Sequence, residues 1–591
     1  MKKSMFLFGA LFAAGLSFTA CSSDNDVAEN NGPRLDGSND AYITLNLNTP
    51  SVSGMTRAAS DTYEAVDGDA TEYAVNNGII VFFKNSSDNQ LTATIASAYT
   101  LDDLTYSAKP SSGEVTTQWT ATLDITEAGL SETYKYALVI LNNQGYFTVD
   151  GTNLKINGTA FSGDYQTLMR TRIPSNKMNN GTAINTYCQT TVGSNGILMT
   201  NAPLSLTTGS TSPTGVQYLS PILDSNIKGT KAEAQANPVN IYVERATAKV
   251  SVAKGSVTEM TNGTLSDGTT KISISALYWI PDNVAPTFNC VREVNQSDLN
   301  IVKTSGTVYR YTGPTVAYGS SPNLYRTTWA VDQLGYTSKL ALGDLTSIKG
   351  TLPSKAGMLA SGAVAYVPEN TMDYNMMYQY NTTRAVIMAV MGNGSTDYYS
   401  FEPLGANKVY EKTAMETALD TYVKGLSAYT SVSWAGTVSF TLSNKSNGTA
   451  TLVAASSEAS DASNISTLNT ALSSLVIHYF KNGECYYKLQ IKHYHPGSTA
   501  ATEVKDPVLT NGPEYNNVYA ETSSGTQKAD YLGLYGVVRN TWYEVTVTGI
   551  KNVGTSTVPD IPDNPDDEVN SYISAKINVM QWAKRTYNAD L

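Results

Sequence analysis

The chain has 591 residues, too many for one hydrophobic core, so we expect two domains or one domain with large insertions. Hydrophobic residues make up 41% of it and charged residues only 15%, and its 38 tyrosines favour β-structure and an extracellular surface. The formal net charge of −12 excludes nucleic acid as a partner, because phosphates require a basic binding surface.

The N-terminus has the pattern of a secretory signal. Two lysines open the chain, and the apolar run at 5–20 is too short and too closely followed by Cys21 to span a membrane. The sequence SFTAC at 17–21 is similar to a bacterial lipobox, with Phe18 where Leu is more usual. We therefore predict a lipoprotein signal peptide at 1–20 and lipid on Cys21. The alternative is a plain secretory peptide with a chance cysteine.

The segment 40–59, DAYITLNLNTPSVSGMTRAA, has the pattern of a short strand followed by a flexible connection. Apolar and polar residues alternate with a period of two, as in a half-buried strand. The apolar face consists of Ala41, Ile43, Leu45 and Leu47. Pro50 ends the strand and leaves Arg57 accessible to a trypsin-like protease. We predict cleavage between Arg57 and Ala58, which would remove residues 21–57 as a propeptide.

The C-terminal segment 571–582, SYISAKINVMQW, repeats this pattern. Its apolar face consists of Ile573, Ala575, Ile577 and Val579. One strand could replace the other, and we expect the C-terminal strand to be loose, with that face in solvent, before assembly. Removing the N-terminal strand, expected at a sheet edge, would expose backbone groups and an apolar groove that a donor strand satisfies. Head-to-tail contacts of this kind do not close, so the product would be an open filament.

Between these ends the chain has the pattern of an all-β protein with long loops and a few short helices. Short apolar runs separated by turn signals predict strands. They lie at 78–83, 118–125, 134–141, 196–202, 239–252, 271–279, 307–311, 326–331, 363–367, 384–391, 438–442, 475–480, 485–494 and 536–550. A short helix is predicted at 165–170 and a longer one at 410–424, ending before Gly425. The apolar stripe of the longer helix consists of Ala414, Ala418, Leu419, Tyr422 and Val423.

These elements divide between two β-rich domains. A composition change precedes the long strand at 239–252, so we predict an N-terminal domain at 58–238 and a C-terminal domain at 239–568. Residues 552–568, rich in Pro and Asp, are predicted to link the second domain to the terminal donor segment 569–591.

Motifs for catalysis or cofactor binding are absent from the sequence. It contains no HExxH, no GxSxG, no phosphate-binding GxxxxGKS/T and no GxGxxG after a strand. We therefore predict no catalytic residue and no cofactor, and expect a structural protein rather than an enzyme. Motifs alone do not exclude glycoside hydrolysis, because paired carboxylates have no sequence signature.

The candidate metal ligands are weak, and no metal site is predicted. His493 and His495 lie two apart on a predicted strand, with His478 nearby in sequence, but such a pair more often lies at a polar surface. The acidic run from Asp560 to Glu568 lacks the Gly and the spacing of a calcium loop, so we predict a solvated linker. Abundant Tyr and Trp would suit a carbohydrate platform or, more simply, strands with one wet face.

Cysteine use is sparse. Once Cys21 carries lipid, Cys188, Cys290 and Cys485 remain, and they form no CxxC motif. This pattern indicates neither a disulfide framework nor a zinc site. Buried thiols are the preferred interpretation, and one disulfide among the three stays open.

Several short segments carry a family resemblance through their order along the chain. They are MTRAA after the first strand, YKYALVILNN, GILMTNAPL, VERATAKV, YRTTWAVDQ, YVPENT, TTRAVIMAVM, CYYKLQIKHY, and YGVVRNTWYEVTVTGIKNVG followed by ISAKINVMQWAKR. Together they resemble the fimbrillin family of Bacteroidales, and within it the major shaft subunits of the short (minor) fimbriae of Porphyromonas. The resemblance spans nearly the whole chain.

The resemblance implies a type V pilin with two transthyretin-like β-sandwich domains. A lipoprotein precursor would reach the outer membrane and cell surface, and an Arg-specific protease would cleave it after Arg57. The vacated groove would accept the C-terminal strand of an identical subunit in a head-to-tail polymer, joined by anchor and tip fimbrial proteins. The fimbria would support adhesion and biofilm formation through host or bacterial surface receptors. The chain departs from simpler members by an insertion at about 392–474, whose placement is not predicted.

Two other functions remain open. An accessory or tip adhesin of the same fimbria would lack a usable C-terminal donor strand, and the pattern at 572–579 argues against it. A surface glycan-binding lipoprotein would stay uncleaved and monomeric.

Overall fold

The computed structural model of the chain describes most residues between 41 and 585. The described ranges are 41–50, 63–65, 68–85, 87–107, 115–125, 135–184, 188–206, 215–294, 312–318, 324–327, 329–332, 357–372, 376–446, 448–493, 533, 535–560, 573–580 and 583–585. Cys21, Arg57 and Ala58 lie outside them, as does the strand predicted at 307–311.

Strands dominate the described residues. Those of the first half are β1 (Tyr42–Pro50), β2 (Tyr63–Ala65), β3 (Gly78–Lys84), β4 (Thr94–Thr100), β5 (Thr105–Ser107), β6 (Val115–Asp124), β7 (Tyr136–Leu141), β8 (Phe147–Asp150), β9 (Asn153–Ile156), β10 (Thr159–Ala160), β11 (Arg172–Pro174), β12 (Met199–Asn201), β13 (Leu204–Ser205), β14 (Val216–Gln217), β15 (Ser220–Pro221), β16 (Ile227–Lys228) and β17 (Val239–Arg245).

The second half continues with the same kind of short element. Its strands are β18 (Thr247–Lys254), β19 (Glu259–Thr264), β20 (Lys271–Asp282), β21 (Thr287–Asn289), β22 (Thr312–Tyr318), β23 (Leu324–Thr327), β24 (Leu359–Ala360), β25 (Val364–Pro368), β26 (Arg384–Met391), β27 (Tyr398–Ser400), β28 (Val438–Ser446), β29 (Thr449–Ser456), β30 (Ile477–Phe480), β31 (Glu484–Gln490), β32 (Trp542–Ile550), β33 (Ile573–Met580) and β34 (Ala583–Arg585).

Helices are few and mostly short. They are α1 (Ala70–Tyr73), α2 (Tyr165–Met169), α3 (Lys231–Ala236), α4 (Lys412–Lys424), α5 (Ser427–Thr430) and α6 (Ala462–Leu472). The prediction of an all-β protein with a few short helices is confirmed, and so are the two predicted helices, which the structure places as α2 and α4.

The first sandwich is one sheet that folds over on itself. Its strand order is β4-β3-β7-β12-β17-β1-β6-β5, with β15 added to β7 and β16 to β1. Leu45 of β1 and Phe82 of β3 lie four strands apart in this order but share one buried cluster, so the sheet must curl until its two ends face each other. β3 is buried on both faces, because Ile79, Val81 and Phe83 pack into a second core with α2. Burial on both faces explains its unbroken apolar sequence.

The second sandwich consists of two separate sheets. One has the order β25-β18-β32-β33, and the other has the order β19-β20-β26-β31 with β24 added to β20. Val250 of β18 and Val545 of β32 face Ile387 of β26 and Tyr487 of β31 across a fully enclosed core. Alternating apolar residues on the facing sides hold the layers together, as in other aligned sandwiches.

The single strand predicted at 239–252 is two strands in different sandwiches. β17 pairs with β1 and β12 in the first, and β18 pairs with β25 and β32 in the second. The break falls at Ala246, which is fully buried. The domain boundary predicted just before Val239 therefore assigns β17 to the wrong sandwich. The sequence has no turn signal at Ala246 because tertiary packing, not local chemistry, sets the break.

The insertion expected at about 392–474 forms a third unit with its own core. Its sheet has the order β27-β30-β29-β28, and α4 and α6 pack on it. In α4 the side chains of Met415, Leu419 and Val423 are buried four residues apart, on one helical face. The unit begins after β26 and ends before β31, which are adjacent antiparallel strands. It therefore replaces a hairpin turn and leaves the second sandwich intact.

Candidate strand-exchange site

β1 occupies an interior position in the first sandwich. It pairs antiparallel with β6 from Tyr42 opposite Asp124 to Asn48 opposite Gln118 and beyond, and parallel with β17. The expectation of an edge strand is therefore wrong, because hydrogen-bonded neighbours lie on both sides. Removal of β1 would leave two unpaired strand edges facing each other across a groove, a stronger template than one free edge.

The inner face of β1 carries the apolar residues expected from the sequence. Ala41, Ile43 and Leu45 are 0% exposed and Leu47 is 1% exposed. They contact one cluster that includes Leu123 of β6 and residues of β3, β7 and β17. Full burial of each Leu or Ile contributes about 1.5–3 kcal/mol, so vacating the groove exposes a large apolar surface.

The outer face of β1 forms a row of polar contacts. The hydroxyls of Thr44 and Thr122 are 2.9 Å apart, and Gln118 Nε2 donates to Asn48 Oδ1 at 2.8 Å. Thr44 and Asn48 are only 1% and 3% exposed, whereas Asn46 between them is half-buried. α3 also packs against β1 and β6. The groove therefore selects its strand on both faces.

A cavity of about 580 Å³ lies at the start of β1. Its lining includes Tyr42, Leu101 and Lys231 together with the carboxylates of Asp103 and Asp124. Among the described residues no group of three or more His, Cys, Asp or Glu side chains is placed to hold a metal ion.

The chain downstream of the predicted cleavage site is held by a buried carboxylate. Glu72, in α1, is 0% exposed, and its Oε1 lies 2.7 Å from Lys249 Nζ of β18 and accepts a 2.5 Å hydrogen bond from the Tyr366 hydroxyl of β25. Arg245 Nε, at the end of β17, donates to the backbone oxygen of Glu72 at 2.7 Å. Burial, followed by the Glu72 charge, raises the pKa of Tyr366 well above its ordinary value. These contacts fix α1 to both sandwiches without help from β1.

Sequence reasoning missed this role of Glu72. The available signal was DATE at 69–72, in which Asp69 caps α1 and its backbone N–H donates to Glu72 Oε2 at 2.9 Å. That pattern predicts a helix start. It does not predict a carboxylate buried between two domains.

The C-terminal strand β33 is the outermost strand of the sheet β25-β18-β32-β33. Its backbone pairs antiparallel with β32 from Met580 opposite Trp542 to Ile573 opposite Ile550. The register sets Ile577 opposite Val545, whose side chain faces the core. The single chain therefore holds this segment in a sheet, and the expectation of a loose strand is wrong. An apolar strand that lies beside an open sheet edge of its own chain pairs with that edge.

The three cysteines downstream of Cys21 are buried as thiols, in agreement with the preferred interpretation. Burial raises the pKa of Cys290 to about 12 and that of Cys485 to about 12. His493 is buried rather than at the surface, with Nδ1 2.7 Å from the Tyr543 hydroxyl. His478 is exposed, and His495 lies outside the described residues.

Within the part of the chain that the structure describes, no helix is long and apolar enough to cross a membrane. The arrangement defines a class of all-β protein with two sandwiches in series. The N-terminal strand fills a groove of the first sandwich, and the C-terminal strand lies outermost in the second.

The C-terminal region matches the model of a known family. Residues 508–588, which include β32, β33 and β34, match the family described as major fimbrial subunit protein type IV, fimbrillin, C-terminal. These residues are similar to the C-terminal region of a fimbrillin, and the family resemblance predicted from the sequence is confirmed there. No curated protein matches the chain.

Several solved structures of fimbrial or cell adhesion proteins align with most of the chain, but their sequence identities and TM-scores are low. A fimbrillin from Porphyromonas gingivalis has 11% identity and a TM-score of 0.33, covering 93% of this chain and 98% of its own. A putative cell adhesion protein from Parabacteroides distasonis has 13% identity and a TM-score of 0.33, with 92% and 100% covered. The C-terminally truncated tip fimbrial protein from Porphyromonas gingivalis has 9% identity and a TM-score of 0.29, with 91% and 100% covered. TM-scores this low do not by themselves define a shared fold.

Proposed function

We propose that the chain is the major shaft subunit of a cell-surface fimbria, matured by cleavage after Arg57 and polymerised by strand exchange. One observation carries the proposal: β1 is an interior strand of the first sandwich, and the chain runs from β1 through the segment that contains Arg57 to the other described strands. Cleavage there would turn β1 from a part of the chain into a dissociable peptide. The groove that it leaves then needs another strand.

The donor is the C-terminal segment of a second subunit. β33 has apolar alternation like that of β1, and among the described residues it pairs with one neighbouring strand of its sheet, β32, whereas β1 has neighbours on both sides. Moving from the edge of its own sheet into a two-sided groove would add a second row of backbone hydrogen bonds. Each such bond contributes about 0.5–1.5 kcal/mol net.

The geometry of donor and groove favours a shaft. The groove lies in the first sandwich and the donor in the second, so each subunit would give a strand at one end and accept a strand at the other. A heterologous contact of this kind grows as an open filament. A tip subunit has no need of a donor strand, and the presence of β33 supports the shaft role.

The remaining partners follow from the route to the surface. Lipid on Cys21 would hold the precursor at the outer membrane until an Arg-specific protease releases the mature subunit from its propeptide. Anchor and tip fimbrial proteins would bind the two ends of the polymer. Surface receptors would bind along the polymer, and this binding would support adhesion and biofilm formation.

The test is controlled cleavage of the purified precursor. An Arg-specific protease should yield a mature N-terminus at Ala58 by mass spectrometry and filaments by electron microscopy. Arg57→Lys keeps the charge but removes the cleavage site, so it should stay full-length and monomeric. Cleaved protein that remains monomeric would contradict the proposal. A precursor that resists cleavage and binds glycans as a monomer would support a glycan-binding lipoprotein instead.

A further inference from the structure

The sequences of the two exchangeable strands match in one particular alignment. Residues 42–48 read YITLNLN, and residues 572–578 read YISAKIN. Aligned without a gap in the same direction, Ile43 meets Ile573 and Asn48 meets Asn578, and the tyrosines that open both segments coincide. Thr44 meets Ser574, which keeps a hydroxyl at that position. The shared apolar alternation alone would not require these matches among the polar residues.

We propose that the donor strand enters the groove in the direction of β1, with Asn578 in the place of Asn48. This proposal rests on the proposed strand exchange and adds its direction, its register and the residues that recognise the donor. The donor would run antiparallel to β6 and parallel to β17, as β1 does.

Gln118 is the recognition residue on the acceptor. It lies opposite Asn48 in the register of β1 and β6, and its Nε2 donates to Asn48 Oδ1 at 2.8 Å where Asn48 is only 3% exposed. A strand that fills this place without an acceptor would leave the amide of half-buried Gln118 without this hydrogen bond. Asn578 supplies the same carboxamide oxygen.

The charge of Lys576 supports the same register. Of the outward positions on β1, Thr44 is 1% and Asn48 3% exposed, whereas Asn46 is half-buried. A lysine cannot lose its hydration at a sealed position without a counter-charge. The proposed alignment places Lys576 at Asn46, where its ammonium group reaches water. A shift of two residues towards the N-terminus of β1 would place it at Thr44, which is sealed.

The apolar side chains of the donor explain why β1 stays in the groove of the precursor. In the proposed register Ile573 and Ile577 replace Ile43 and Leu47, but Ala575 stands where Leu45 is fully buried. The donor therefore fills the groove less completely than β1 does. While β1 is covalently attached it also has the advantage of high effective concentration. The donor wins only after cleavage lets β1 diffuse away.

The experiment is cysteine cross-linking of assembled filaments. In the proposed register a subunit with Asn578→Cys and Gln118→Cys places the two cysteines on directly opposed residues of neighbouring subunits, within reach of a disulfide. Oxidation should give a ladder of multimers on a non-reducing gel. The comparison variants pair Asn578→Cys with Thr120→Cys or with Thr122→Cys, and their ladders should be at least about tenfold weaker, because both residues lie farther along β6 from the position opposite Asn48.

Each alternative has its own signature. A ladder with Thr120→Cys indicates a register shifted by two residues, and a ladder with Thr122→Cys indicates a shift of four residues or the opposite direction; either result overturns this proposal but leaves strand exchange intact. Filaments that form normally and give no ladder with any of the three partners overturn the proposed direction and register, whereas cleaved protein that forms no filaments overturns strand exchange itself. The same variants carrying Arg57→Lys are the control, since the uncleaved chain should give no ladder.

A second cysteine pair tests the same register without changing Gln118 or Asn578, in case those substitutions disturb folding. Lys576→Cys with Asn240→Cys uses a half-buried donor site and its neighbour on β17, which pairs with Asn46 in β1. This pair should also give a ladder after oxidation. Its absence in well-formed filaments would overturn the register independently of Gln118.

Discussion

The carboxylate of Glu72 lies 2.7 Å from the ammonium of Lys249, and the two side chains are 0% and 5% exposed. The pair joins helix α1, which follows the predicted cleavage site, to β18 of the second sandwich. The ammonium of Lys249 also lies 4.1 Å from the ring centroid of Trp542. The contact therefore extends to β32, the strand that pairs with β33. These contacts therefore join the sandwiches without involving β1.

Replacing Glu72 should weaken this junction before and after cleavage. Glu72→Ala leaves Lys249 charged and buried, and we expect a loss of about 3–5 kcal/mol in the free energy of unfolding. Urea denaturation measures it. Asp420→Ala is the matched control, because its ion pair with Lys424 is exposed and should contribute little. An equal loss in both variants would contradict the buried-junction argument.

Lipidation should depend on Cys21. Cys21→Ala should abolish incorporation of labelled fatty acid into the precursor and keep the protein from the cell surface, so fimbriae counted by electron microscopy should disappear. Cys290→Ala is the control, since this thiol is buried in the folded subunit. Normal numbers of fimbriae on Cys21→Ala cells would mean that the plain secretory alternative is correct.

Stability should fall as pH rises above about 9. The pKa of the Cys290 thiol is raised to about 12 by burial in the folded protein, so the thiol stays protonated there, while in the unfolded chain it ionises near its ordinary pKa of 9.0. Between these values the unfolded state binds fewer protons, so the free energy of unfolding decreases with pH. Urea denaturation from pH 8 to 10.5 measures the slope. Cys290→Ala should have a shallower slope than the wild type, and an unchanged slope would show that this thiol does not contribute.

The sequence predicted the buried face of β1 but not its neighbours. Alternation with a period of two says which side chains point inward. It does not say that the strand lies between β6 and β17, because Asn46 and its partner Asn240 are 194 residues apart. The expected edge position is wrong because pairing with β6 and β17, which are distant in sequence, places β1 inside the sheet.

Two other features were not predicted, because the local sequence gives too weak a signal for them. In the insertion, β29 and α6 are rich in Ala, Ser and Thr, which leaves neither a clear apolar alternation nor a strong helical stripe. The break at Ala246 has no Gly or Pro to mark it. By contrast, α4 was predicted because its apolar residues recur at helical spacing and Gly425 follows its last turn.

Filling the position of Ala575 should strengthen the filament. In the proposed register Ala575→Leu restores the side chain that Leu45 gives to the groove, and the gain is up to about 2 kcal/mol per junction if the pocket of Leu45 persists. Resistance of filaments to dissociation by heat in detergent measures it. Lys576→Leu, on the outer face, should not increase that resistance. Filaments weakened by Ala575→Leu would mean that the pocket of Leu45 is not where this residue binds.

Placing a charge on the apolar face of the donor should block assembly. Ile577→Asp would bury a carboxylate without a partner in the groove of the next subunit, at a cost of several kcal/mol. In the single chain the register sets Ile577 opposite Val545, so the same change also detaches β33 from β32. Because β33 is the outermost strand, we expect the rest of the second sandwich to remain folded, with a melting temperature lowered by a few degrees.

The measurements are sedimentation for assembly and thermal unfolding for the fold, with Asn578→Asp as a test of the polar face. Ile577→Asp should be cleaved normally and remain monomeric. Asn578→Asp should retain some assembly, since its carboxylate still accepts a hydrogen bond from Gln118. Global unfolding of Ile577→Asp would mean that β33 belongs permanently to the core of its own subunit, and strand exchange by this segment would be wrong. Normal filaments from Ile577→Asp would place the donor elsewhere in the chain.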